Sequence, residues 1–187
     1  MLDGKHRFNV KYDLAEHFIK RSAEDGRGMS ITLNMFVYDC LEPIKPSIIA
    51  DGKIQSYLPD DIDELTEMVY LVHNETGVDQ KSLTECRRDA EDHIKAGTAF
   101  LWKDGQGHCV ASCRYVPNGD VASITLVFTR PEYRRRHYAE NLVYQVTMRA
   151  KDAGYVPILF TDADYVASNA CYEKIGYVLR GKLCTIG

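Results

Sequence analysis

Three apolar stretches stand in a row, each closed by a turn signal: TAFLWK runs to DGQG, HCVASCRYV to PNGD, and VASITLVFT to Arg130-Pro131. Asp-Gly and Asn-Gly pairs reverse a chain over a few residues because glycine accepts positive φ. The spacing therefore predicts three hairpin-connected strands. The third strand leads at once into an amphipathic pattern. Ala139, Leu142, Val143, Val146 and Ala150 recur at helical spacing, and Gly154 follows the last of them.

The flanking segments extend this order. KIQSYL reads as a short strand, and Pro59 followed by Asp60, Asp61, Asp63 and Glu64 is a helix start, since acids favour the positive end of a helix dipole. Ile62, Leu65, Met68, Val69 and Val72 fall on one face of that helix, which HNETG is expected to break. A second helix is predicted from about Gln80 to Ala96, with Leu83, Cys86, Ala90 and Ile94 in phase and Gly97 at its end. Beyond the meander, VPILFTD reads as a buried strand, SNACYEKIG as a short helix and YVLRGKLCTI as a closing strand. From residue 51 the order is β-α-α-β-β-β-α-β-α-β, without internal repeats.

Residues 1–50 have a different character and form an N-terminal helix-strand extension to the domain of residues 51–187. Asp13 and Glu16 have capping spacing ahead of Leu14, Phe18 and Ile19, which predicts a helix from about Asp13 to Glu24 stopped near Gly26. MSITLNMFVYD then alternates, with Ile31, Leu33, Met35 and Val37 on one strand face, and the two prolines of EPIKPSIIADG make a connector. The unit reads as a packed extension of the sheet, a remnant of a duplicated half-domain, the contact of a homodimer, or a loosely attached lead-in.

With 187 residues and 45% apolar content the chain suits one domain of ordinary size. Its formal charge of -4 gives no global pull toward nucleic acid or anionic lipid. No apolar run approaches the ~20 residues of a membrane span, and no signal peptide is evident, so a soluble cytoplasmic protein is expected. The six cysteines show no paired C-x2-C knuckles and the six histidines are scattered. Reduced core thiols are therefore expected rather than zinc. Cys109 and Cys113 are expected on one face of a strand.

Against that acidic background, Arg134, Arg135, Arg136 and His137 concentrate positive charge where a strand meets a helix. The basic run is expected to form the first turn of that helix. The opening N–H groups of a helix have no intrahelical partners and carry partial positive charge, so guanidinium groups above them suit a diphosphate. An ordinary solvated surface is the plainer alternative. A nucleic-acid patch lacks a second basic stripe or an aromatic platform.

VFTRPEYRRRHYAENLV resembles motif A of the GCN5-related N-acetyltransferases (GNAT family), in which Arg or Gln is followed by two variable residues, Gly, one variable residue, and Gly or Ala. Arg134 takes the first position and Ala139 the last, while His137 stands where Gly is usual. SNACYEKIGY resembles the family's motif B, and the element order from 51 to about 185 is also the family's. The resemblance implies an α+β fold with a mixed, mostly antiparallel central sheet flanked by helices. It also implies acetyl-CoA as cosubstrate, without a metal, and a primary amine as acceptor. The diphosphate would sit on the amides from Arg135 to Ala139, including Tyr138, with pantetheine along Val127, Phe128 and Thr129 as an added strand. The strands ITLVFT and VPILF would splay to form the slot.

Acetyl transfer needs a neutral amine, a donor for the developing oxyanion, and a proton for the leaving thiolate. The resemblance makes Tyr172 the proton donor and the backbone near Val127 the oxyanion donor. Asn169, assisted by Ser168, would hydrogen-bond pantetheine. The plainer readings are core packing for Tyr172 and helix capping for Ser168 and Asn169. Many relatives have Asn at the place of Tyr165. His73, Glu75 and Asp162 are candidate bases or substrate contacts, each equally readable as a solvated loop or cap residue, and an ordered water could serve instead. A catalytically inactive module that binds or senses CoA is the alternative function.

Overall fold

A computed structural model of the chain describes residues 7–76 and 80–187. The chain forms β1 (Phe8–Val10), α1 (Tyr12–Glu24), β2 (Ile31–Asp39), β3 (Lys53–Ser56), α2 (Ile62–Thr76) and α3 (Leu83–Ala96). There follow β4 (Ala99–Lys103), β5 (Cys109–Asn118), β6 (Val121–Thr129), α4 (Tyr138–Asp152), β7 (Val156–Asp162), α5 (Val166–Lys174) and β8 (Val178–Ile186). Eight strands make one sheet in the order β1-β8-β2-β7-β6-β5-β4-β3. Among the described residues only β6 and β7 pair in parallel; every other neighbouring pair is antiparallel. The α/β order expected from residue 51 onward is present. Among the described residues no helix is long and apolar enough to cross a membrane.

Each sheet face buries its own core. Leu142, Val143 and Val146 of α4, Tyr172 of α5 and Ile175 just after it pack with Tyr38, Trp102, Leu159 and Tyr177 on one face. On the other, Leu65, Met68 and Val69 of α2 and Cys86 and Ala90 of α3 cover Leu101, Leu126 and Phe128. Each fully buried aliphatic of this kind contributes about 1.5–3 kcal/mol. The helix α1 packs through Ala15 on Cys184 and Ile186. The N-terminal strand β2 lies inside the sheet, antiparallel to both β7 and β8.

Several local expectations are corrected. The helix α2 continues through His73 to Thr76 of HNETG, and Gly77, the last residue of that expected break, lies outside the described residues. The helix α3 begins at Leu83 because Ser82 and Glu85 form a reciprocal capping box, and this leaves Leu83 exposed rather than in phase with Cys86. Asp13 sits within the first turn of α1 instead of capping it. The odd-numbered stripe of β2 is not its main core face: of Ile31, Leu33, Met35 and Val37 only Met35 is buried, while Phe36 and Tyr38 on the even-numbered face pack in the larger core. Cys109 and Cys113 fall in opposite cores, because the shift at Trp102/Lys103 inserts an extra residue between them on β5. All six cysteines are free. The short strand β1 carried no pattern of its own.

Gly176 ends α5 at φ +96°, with Glu42 O only 2.4 Å from where a Cβ would stand. The connector residue Ile44 is hydrogen-bonded beside it, from its N–H to Ile175 O at 2.9 Å. Gly176→Ala is expected to destabilise the chain by about 1–3 kcal/mol through backbone strain. Thermal unfolding checks this, at about 2–4 °C per kcal/mol for a chain of this size.

Candidate active site

The strands β6 and β7 are bonded only where Val121, Ala122 and Ser123 face Val156, Pro157 and Ile158. Past that point β7 follows β2 and β6 follows β5, so the two diverge. A bulge drives the divergence. Cys113 faces both Leu126 and Val127, because pairing shifts between Arg114/Thr125 and Ser112/Phe128, and Leu126 takes φ 53°. Such a bulge bends its strand and leaves backbone groups unpaired along the inner edge. The gap opens a cleft of about 710 Å³ lined by β6 (Val127, Phe128, Thr129), the loop before α4, the start of α4, and one face of α5.

The basic run lies in that loop, not in the first turn of α4 as expected. Arg135 and His137 both take positive φ (64° and 63°), and a residue in that conformation cannot join a right-handed helix, so α4 starts at Tyr138. Left-handed residues interleaved in a loop turn successive N–H groups toward one concavity, which favours anions. The first α4 amide with a backbone acceptor is Asn141, bonded to His137 O at 3.1 Å. Among the described residues, the amides from Arg135 to Glu140 have no protein acceptor. The His137 ring does not plug them, since its Nδ1 meets Glu140 Oε2 at 3.1 Å.

Arg134 is fixed from two sides. Its Nε donates to Thr129 O at 3.1 Å, and its Nη2 donates to Glu75 Oε1 at 2.7 Å. Glu75, on the last turn of α2, thus lines the cleft as the partner of an arginine. On α5, Tyr172 is buried and meets Tyr177 edge-on, yet lines the cleft. Burial above all pushes its phenol up, with Cys171 and Cys113 adding and Ser168 opposing. Burial likewise pushes the cleft-lining Cys171 thiol up to about 11, which keeps it protonated near neutrality.

Of the residues singled out from the sequence, Val127, Phe128, Thr129, Arg134, Arg135, His137, Tyr138, Ala139, Ser168, Tyr172 and Glu75 meet around the cleft. Four do not line it. Arg136 turns to a separate hollow, with its guanidinium over the Tyr133 ring. Asn169 donates instead to Asp162 O and Ala163 O, both at 3.2 Å, tying α5 to the end of β7. Asp162 accepts from Asp164 N–H at 2.9 Å, and His73 lies half-buried on α2. Glu140 and Lys174 line the cleft and were missed. The three-residue step from His137 to Glu140 was the available signal for the first; Lys174 carried none.

The residues 62–177 match the Acetyltransferase (GNAT) family, and the chain belongs to it. No curated protein matches the chain. Among solved structures, a GCN5-related N-acetyltransferase from Sphaerobacter thermophilus superposes with a TM-score of 0.75 at 15% identity, covering 96% of this chain and 58% of that one. A GNAT-family putative acetyltransferase from Novosphingobium aromaticivorans gives 0.62 at 20% identity, covering 86% and 67%. One from Clostridium acetobutylicum, a predicted acetyltransferase with acetyl-CoA, gives 0.53 at 13% identity, covering 65% and 86%. These likenesses share the fold. The chain spans little more than half of the Sphaerobacter protein.

Proposed function

We propose that the protein transfers the acetyl group of acetyl-CoA to a primary amine by direct attack within a ternary complex. One observation carries the reading: a row of amides without protein acceptors opens at the mouth of a slot that leads to a buried phenol. The residues fit the cosubstrate. The amides from Arg135 to Ala139 suit its diphosphate, and the open edge of β6 from Val127 to Thr129 suits its amide-bearing arm. Thr129 Oγ1, buried without a partner among the described residues, is a further polar group awaiting one.

Acetyl-CoA supplies the acyl group as a thioester. The amine nitrogen forms the new C–N bond as the C–S bond breaks, the amine proton passes to solvent, and the sulfur leaves as thiolate. The β6 backbone at Val127 is the oxyanion donor. Tyr172 keeps its proton because burial disfavours the phenolate, so it acts as a donor to the sulfur. The protonated Cys171 is a poor acetyl carrier, which favours direct transfer over a covalent relay. Glu75 is engaged by Arg134 and is not assigned as the base.

Calorimetry with acetyl-CoA, followed by thiol release across a panel of amines, tests the proposal. Binding with release from at least one amine is expected; tight binding without release from any would leave a CoA-binding module. Glu75→Gln frees Arg134 from a competing carboxylate beside the diphosphate position. It should tighten CoA binding by about two- to fivefold, the scale of a partly exposed ion pair. Calorimetry in low salt reads it.

A further inference from the structure

Arg114 is a partly buried cation that pairs with no carboxylate among the described residues. It lies on β5 between Ala99 of β4 and Thr125 of β6. Its Nε is buried without an acceptor among the described residues. Its Nη1 meets Nδ1 of His93, on the last turn of α3. Burial first, and then the charge of Arg114, lowers that imidazole's pKa to about 4, so it is neutral and offers only a lone pair. Asp89, the acid whose field reaches Arg114, is bridged by Lys81 at 2.6 Å. A half-buried guanidinium satisfied by one neutral nitrogen is costly to keep unless an anion completes it.

Its place in the sheet indicates which anion. Cross-strand partners share a sheet face, and Ala99 belongs to the core beneath α2 and α3, so Arg114 and Thr125 lie on that face. Thr125 is exposed and immediately precedes the Leu126 bulge, two residues before Val127 on the cleft wall. Ser123 continues the same face on β6, and its β7 partner Ile158 is followed two residues on by Phe160, 48% exposed. Thr125 and Phe160 therefore flank the point where β6 and β7 part, on the face opposite α4 and α5, with Arg114 one strand further over beside Thr125.

We infer that Arg114 is a specificity residue of the acceptor site and that the acceptor is a primary amine bearing a carboxylate, as amino acids do. This rests on the acetyl-transfer reading above. The test compares matched amines with and without the carboxylate, phenylalanine against phenethylamine and lysine against cadaverine. Thiol release and calorimetric binding to the CoA-loaded protein are both measured, for wild type, Arg114→Met and Arg114→Lys. In wild type the carboxylated member is expected to lead in kcat/KM by about tenfold or more. Arg114→Met should erase that lead with CoA affinity unchanged, and Arg114→Lys should restore part of it.

A wild-type preference for the decarboxylated amines, or equal loss for both members in Arg114→Met, overturns the inference. Should Arg114→Met not fold, the wild-type preference and the Arg114→Lys variant decide it. If no amine is acetylated but the carboxylated amines bind and Arg114→Lys weakens them, the carboxylate site stands and the transfer reading falls. If they do not bind either, the site falls too.

Discussion

Tyr172→Phe is expected to lower kcat by about 100-fold or more while leaving CoA affinity within about threefold, measured by thiol release and calorimetry. The ring is buried against Tyr177, and phenylalanine keeps that contact, so the fold and the slot survive the change. Only the hydroxyl is lost. Burial keeps that hydroxyl protonated well above neutrality, so it is present as a donor throughout the working pH range. A thiolate leaving into a desolvated cleft without that donor bears its full charge, and the penalty falls on the chemical step. Unchanged turnover would remove Tyr172 from the mechanism.

His137→Pro is expected to weaken CoA binding by about 100-fold or more, because proline fixes φ near -65° where the loop requires 63° and also deletes one of the unbonded amides. His137→Gly is the control. It relieves about 1–2 kcal/mol of left-handed strain. Against that stand greater freedom of the unfolded chain, about 0.5–1 kcal/mol, and loss of the His137–Glu140 contact, about 0–1 kcal/mol. The balance lies within about 1 kcal/mol, so the glycine variant should fold and bind CoA within about threefold of wild type. Calorimetry on both variants, with thermal unfolding alongside, separates loop geometry from side-chain chemistry. Equal affinities for the proline and glycine variants would show that the loop conformation does not matter.

What the sequence made legible was local. Hairpin turns and helical stripes act over a few residues, and the element order followed from them; the Ser82–Glu85 cap, equally local, went unread and moved the start of α3. The placement of β2 between β7 and β8 was not legible, because strand pairing across more than a hundred residues leaves no mark in either segment. Register shifts were hidden for a related reason. The separation of Cys109 from Cys113 depends on one extra residue that alternation cannot reveal.

The site divides in the same way. Residues along β6 and around the α4 start came from contiguous motifs and line the cleft together. The pairing of Glu75 with Arg134 joins segments distant in sequence, and it turned a candidate base into an arginine partner. Histidine in a position usually held by glycine was a readable sign of positive φ; its φ of 63° shows that the loop kept the backbone conformation without the residue that adopts it most easily.

Backbone gripping of the diphosphate is the central claim, and amide chemical shifts of the 15N-labelled protein test it most directly. Titration with CoA should move the amides of Arg135 to Ala139 most, and titration with pantetheine, which lacks the diphosphate, should leave them in place. Saturable CoA binding that left those five amides unmoved would contradict the account.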